Sequence, residues 1–120
     1  MISEGDLLWT PGRERVERAH LTAFMRWLER ERKLPFKGYA ALWEWSVTDI
    51  EGFWQALWDY FDIRSSAPVE RTLGSKQMPG ADWFPGARLN YAEHALRNER
   101  PDTTAILHLS ERHALASLSW

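Results

Sequence analysis

Apolar residues in the first half of the chain recur at steps of three and four, the interval that places side chains on one face of a helix. Leu7-Leu8-Trp9 form a short apolar anchor, and Thr10-Pro11 follow as a helix start, with Thr as N-cap and Pro at the first helical position. Val16, Ala19, Ala23, Phe24, Trp27 and Leu28 then make one stripe, opposed by Arg15, Arg18, Arg26 and Arg30. The pattern predicts one amphipathic helix over roughly residues 11–33, closed by Pro35 and Gly38. Tyr39 to Ser46 reads as a connecting segment of no definite form. The next helix, over 49–62, is better marked: Thr48-Asp49-Ile50-Glu51 has the form of a capping box, and Ile50, Phe53, Trp54, Leu57, Trp58 and Phe61 follow at helical steps. One face of that helix is almost solid aromatic, and such a face cannot be left in water.

Residues 64–82 are turn-rich and weakly periodic, a loop longer than a compact domain tolerates unless another surface holds it. Pro85-Gly86 marks a turn, and Asn90 can cap a helix running to about Arg97, with Glu93 at the capping-box position. After the break at Pro101-Asp102, Thr103 to Leu109 and Ala114 to Trp120 read as strands joined through Ser110-Glu111-Arg112-His113. Two strands alone are marginal in water. The chain stops at Trp120 inside an apolar run, so the expectation is a cut rather than a natural end. The fold class expected is mainly α with a small C-terminal β-hairpin, divided as a helical unit over 1–100 and a hairpin over 101–120 that begins a further domain.

Composition changes this picture in one respect. Eight tryptophans stand in 120 residues, at 9, 27, 43, 45, 54, 58, 83 and 120, several times ordinary usage. Trp is large and has an N–H to satisfy, so it suits boundaries between packed layers or domains. Because most of them fall at helical spacing without interleaved basic residues, packing is favoured over a stacking platform for sugar or nucleic acid. A chain of this length, if compact, buries roughly two-thirds of the surface its unfolded form exposes. The net charge of -2 gives no pull toward nucleic acid or anionic lipid. The basic stretch from Arg26 to Lys37 is interrupted by Glu29 and Glu31 and reads as a solvated helix end rather than a phosphate patch. The acidic start at Met1-Ile2-Ser3-Glu4-Gly5-Asp6 does not resemble a secretory signal, and no stretch approaches a membrane span, which makes the cytoplasm the default.

Candidate chemistry is sparse. The absence of cysteine excludes disulfides, thiolate nucleophiles and cysteine-ligated metals. His20, His94, His108 and His113 lack metal-ligand spacing, and read as solvated or singly bonded side chains. The carboxylates Glu29 and Glu31, or Asp59 and Asp62, have the spacing of solvated helix positions. The chain has no nucleophile elbow, dinucleotide turn or phosphate loop. No catalytic, cofactor-binding or metal-ligating residue is therefore assigned.

Trp83-Phe84-Pro85-Gly86-Ala87-Arg88-Leu89-Asn90-Tyr91-Ala92-Glu93 resembles the W-[FY]-x-G-x-x-L-N segment that precedes the adenylation domain of adenylate-forming acyl-CoA synthetases. Leu8-Trp9-Thr10-Pro11, Leu42-Trp43-Glu44-Trp45-Ser46-Val47, Phe53-Trp54 and Leu57-Trp58 narrow the resemblance to the acetoacetyl-CoA synthetases, over about residues 7 to 120. The resemblance implies a larger α/β enzyme using ATP, magnesium and coenzyme A, whose phosphate loop, adenine motif, ribose aspartate and catalytic lysine all lie downstream of this segment. Its partner would be the adenylation domain of the same polypeptide. On that view the first helices wrap the flank of the large domain and bury Trp54, Trp58 and Phe61. Trp83, Phe84, Gly86, Leu89 and Asn90 pin the crossing loop, and the hairpin starts the next sheet. The acetyl- or propionyl-CoA synthetases are a broader form of the same resemblance. A free-standing Trp-rich interaction module is the alternative of a different class, and self-association through exposed aromatics is expected of the isolated segment.

Overall fold

The computed structural model describes residues 3–97 and 99–120, so Met1 and Ile2 of the acidic start, and Asn98 within the first expected unit, lie outside the described residues. It is partly helical, with two small antiparallel sheets.

The single helix expected over 11–33 is broken. Helix α1 spans Arg13–Glu17 with Gly12, not Thr10, as its N-cap, and α2 spans His20–Trp27. Between them Ala19 is extended, at ψ 140°. The break is satisfied locally, because the Thr22 hydroxyl donates to the Val16 carbonyl at 2.5 Å. Val16 is exposed, so the apolar stripe of α1 was never continuous with the buried side of α2. After Trp27 the bonding widens to a π-turn over Leu28–Arg32, ended by Lys33 in the left-handed region at φ 58°. Leu28, at the start of that turn, is 0% exposed.

Tyr39 to Ser46 is not a connector but most of helix α3, Tyr39–Thr48. Leu42 is buried and Trp45 half-buried, while Trp43 and Val47 stand exposed. A helix apolar on both sides shows no period, and that hid it. Helix α4 spans Ile50–Tyr60. Its cap is Asp49, whose Oδ1 accepts from the Gly52 N–H at 3.0 Å; Thr48 instead donates back to Glu44 O at 2.8 Å and finishes α3. The cap thus lies one residue later than expected, and with Gly52 at the third helical position no side chain reaches back to complete a capping box.

The core lies between α2, α3 and α4. Phe24, Leu28, Leu42 and Ala56 are buried, ringed by Trp27, Phe36, Trp45, Phe53, Leu57 and Tyr60. Several of the rings meet edge to face, with Phe24 and Tyr60 centroids 5.0 Å apart and Trp45 and Phe53 5.7 Å apart, an arrangement favoured by their quadrupoles, while Phe24 stacks on Trp27. A polar relay crosses beside this core: Arg32 pairs with Asp59, Gln55 donates to Asp59 at 3.1 Å, and the buried Thr72 donates to Gln55 at 2.8 Å.

That relay holds part of the loop expected over 64–82, and a backbone ladder holds the rest. Ser66 N–H donates to Arg88 O at 2.9 Å, Glu70 N–H to Pro85 O at 3.0 Å, and Phe84 N–H to Thr72 O at 2.9 Å. Strands β1, Leu73–Ser75, and β2, Asp82–Trp83, complete it, with Leu73 opposite Trp83. This is a second small sheet beyond the single hairpin expected from sequence. Helix α5, Tyr91–Leu96, follows, with Asn90 Oδ1 accepting from Glu93 N–H at 3.2 Å. The hairpin joins β3, Thr104–Ser110, to β4, His113–Ser119, around Glu111-Arg112.

The chain stays open. Its radius of gyration is 19.8 Å, against about 14 Å for a compact chain of this length. It exposes 10372 Å², where a compact fold of 14.1 kDa exposes about 6,700 Å². Roughly half of the unfolded surface is covered, short of the two-thirds that a compact chain of this length buries.

Candidate functional site

Of the seven residues singled out in the sequence, Trp83, Phe84 and Leu89 gather beside Trp54 and Trp58 of α4, while Gly86 shapes the turn after them and Asn90 caps α5. Trp54 and Trp58, one helical turn apart, take Trp83 and Phe84 respectively, with ring centroids 5.3 Å and 4.4 Å apart. Trp54, Leu57, Trp58, Phe61, Ile63, Phe84 and Leu89 line an almost wholly apolar groove of about 310 Å³. Trp54 is 43% exposed, Phe61 51%, Trp83 40% and Leu89 57%. The faces expected to be covered are therefore open in this chain.

Three local devices hold the groove in shape. The first is the Pro85-Gly86 turn, where Ala87 N–H donates to Phe84 O at 3.0 Å. Gly86 sits at φ +86°, and a Cβ there would lie 2.8 Å from the Pro68 carbonyl oxygen, so both conformation and space select glycine. The second is the end of α4, a Schellman motif: Ile63 N–H donates to Trp58 O at 3.0 Å and Asp62 N–H to Asp59 O at 3.1 Å, with Asp62 left-handed at φ 47°. Ile63 and Trp58, the two apolar positions that this motif pairs, both line the groove. The third is Arg97, which donates to the Phe61 and Asp62 carbonyls and to the Asp62 carboxylate, tying α5 to the last turn of α4.

Beside the groove lies a polar cleft of about 440 Å³, lined by Arg64, Ser65, Ser66, Arg88, Leu89, Asn90, Glu93 and His94. Leu89 belongs to both walls. Arg88 is fixed at its backbone: the Ser65 hydroxyl accepts from its N–H at 2.9 Å, and its carbonyl accepts from Ser66 N–H at 2.9 Å. His94 Nδ1 is buried without a partner among the described residues. Sequence reasoning missed Arg97, Ser65, Gln55 and Thr72, because each acts on a residue far away in the chain. The one available signal was the apolar Ile63 just past the aromatic helix.

Among the described residues, no three His, Asp or Glu side chains could hold a metal ion, and no helix is long and apolar enough to cross a membrane. His20, His108 and His113 lie apart from the groove and the cleft. What the arrangement offers is a shaped apolar surface with a charged margin.

Residues 39–95 match the family described as the acetyl-coenzyme A synthetase N-terminus. An acetoacetyl-coenzyme A synthetase of Rhizobium meliloti is 32% identical over 94% of this chain and 17% of its own length. An acetoacetyl-CoA synthetase of Danio rerio is 33% identical over 92% of this chain and 16% of its own. The chain thus spans about a sixth of the length of the curated relatives it matches. Among solved structures, an acetoacetyl-CoA synthetase from Streptomyces lividans superposes with a TM-score of 0.86 and 47% identity, over 93% of this chain and 18% of that one. Alike in sequence and in shape along nearly its whole length, the chain matches the amino-terminal region of acetoacetyl-CoA synthetases, and its residues 39–95 carry the acetyl-coenzyme A synthetase N-terminus pattern.

Proposed function

We propose that this chain is the amino-terminal, non-catalytic segment of a larger cytoplasmic acetoacetate-CoA ligase. In the reaction so assigned, ATP and acetoacetate give an acyl-adenylate and pyrophosphate, and CoA then takes the acyl group with release of AMP. The observation that carries the reading is the agreement in shape and in 47% of residues with less than a fifth of a solved acetoacetyl-CoA synthetase.

The role of the segment itself is structural. Its helical part, over 1–100, wraps the flank of an adenylation domain through Trp54, Trp58, Phe61 and Leu89. The hairpin over 101–120 begins that domain's sheet, and its open leucines support this: Leu107, Leu109, Leu115 and Leu118 are all exposed here. Ile106 and Leu107, consecutive on β3, point to opposite faces, so covering them takes protein on both sides of the sheet. We assign no step of the reaction to this segment: ATP, magnesium and CoA would be handled by the rest of the polypeptide.

The test is acetoacetate-dependent pyrophosphate release, measured on the product of the complete coding region and on the 120-residue chain, with acetate and propionate as rival acids. Activity is expected only from the longer product and with preference for acetoacetate. Turnover by the 120-residue chain, or a longer product indifferent to acetoacetate, would overturn the reading.

A further inference from the structure

We infer that the docking face is bipartite, and that its occupant is a segment of the same polypeptide outside these 120 residues that presents a large apolar side chain beside a carboxylate. The inference rests on the proposed function and adds to it the chemistry of the partner.

The apolar groove and the polar cleft share Leu89, so whatever seats in the groove also covers the margin of the cleft. That margin carries Arg64 and Arg88 against Glu93, with Asn90, His94 and two serines around them. Arg64 has Asp62 at 3.6 Å, and Arg97 draws on the same carboxylate at 3.2 Å. Arg88 has no carboxylate within ion-pair distance among the described residues. Covering the groove takes water from Arg88, and a guanidinium desolvated without a counter-charge opposes docking. A favourable occupant therefore brings an acceptor, and a carboxylate matches the planar fork of the guanidinium best. The Ser65 and Ser66 bonds fix the backbone of Arg88, and with it the start of Leu89, so the charged and apolar contacts are presented in one fixed relation.

Two observations choose the same polypeptide over a second copy. The exposed area exceeds that of a compact chain of this mass by about 3,600 Å², several times the roughly 800 Å² that each partner gives to a standard interface. An isologous pairing through this face would also bring Arg88 and Arg64 toward their own copies, like charge against like.

The test uses the full-length protein. Arg88→Lys places an amine where the guanidinium stands, and a water-soluble carbodiimide joins an amine to a touching carboxylate with no spacer. The expected product is an intramolecular cross-link from position 88 to an Asp or Glu beyond residue 120, in a peptide that also carries a large apolar residue. Cross-linking only to Glu93, only between isotopically distinct copies, or not at all would overturn the inference. Hydrogen exchange over residues 50–63 separates this from failure of the proposed function. Exchange as fast in the full-length protein as in an uncovered helix would sink the docking role itself. Protection that survives Arg64→Glu with Arg88→Glu unchanged would sink only the carboxylate. The expectation is protection in the wild type and about a ten-fold loss in the double variant, as for removal of a charge-assisted bond.

Discussion

Separated from any covering body, this chain should associate with itself, and the structure sets the scale. Aromatic side chains bury about 150–250 Å² each when fully enclosed. At 43% exposure for Trp54, 40% for Trp83, 51% for Phe61 and 57% for Leu89, each leaves on the order of 100 Å² open to water. The four together amount to about 400 Å², worth up to ~10 kcal/mol at ~25 cal/mol per Å². Two copies covering each other's faces gain up to about twice that, against an association cost of about 4–15 kcal/mol. The balance allows association near micromolar concentration. Like charges at Arg88 make it loose rather than a closed dimer. Sedimentation velocity on the isolated chain between about 1 and 100 µM should show a concentration-dependent rise in mean mass. Trp54→Gln with Phe61→Gln removes half of the open apolar area and should return the chain toward monomer. A monodisperse monomer with cooperative unfolding over that range would refute the reasoning, since it would mean that the open aromatics carry no free energy of burial.

Three substitutions probe how the face is built, each read by thermal or urea unfolding of the full-length protein. Leu28→Ala empties the fully buried position at the π-turn and should cost about 2–5 kcal/mol, while the exposed Leu7→Ala stays within about 0.5 kcal/mol. Gly86→Ala forces a side chain into the left-handed region and against the Pro68 carbonyl, so a loss of about 1–2 kcal/mol from conformation alone is expected, with weaker Trp58–Phe84 contact seen as changed tryptophan fluorescence. Asp49→Ala removes the cap of α4 and should cost about 1 kcal/mol, most of it restored in Asp49→Asn; equal losses for the two would show that the cap bond to Gly52 is not the source.

What could be read from the sequence was local. Asn90 with Glu93, the Pro85-Gly86 turn and the two alternating runs around Glu111-Arg112 each carry their signal within a few residues, and the structure places them within a residue or so of expectation. Helix α3 was hidden because its apolar residues surround it: Leu42 faces the core while Trp43 and Val47 wait for cover. The break at Ala19 was hidden because Thr22 repairs it through the Val16 carbonyl, a side-chain bond that no periodicity reports. The segment before Trp83 looked like a long free loop, since its bonds run from Ser66, Glu70 and Thr72 to residues more than ten positions away. The aromatic members of the site were legible by residue type, and their pairing was not.

That pairing explains the local geometry of the Trp83-Phe84 step. In a regular strand two consecutive side chains point to opposite faces, so only one of them could reach α4. Here Phe84 is left-handed, at φ 49°, an unfavourable state for a bulky residue that persists only where its surroundings fix it. The turn in the backbone brings both rings to the same side, where they meet Trp54 and Trp58, spaced one turn along the helix. Two neighbours in one segment thus match an i, i+4 pair in another, and a register slip of either would lose both contacts together. The Phe84 N–H bond to Thr72 holds the step from behind, while Gly86 lets the chain turn away toward Arg88 and Leu89. The Trp83-Phe84-Pro85-Gly86 segment is therefore the one that sets the distance between the aromatic helix and the charged margin beside the groove.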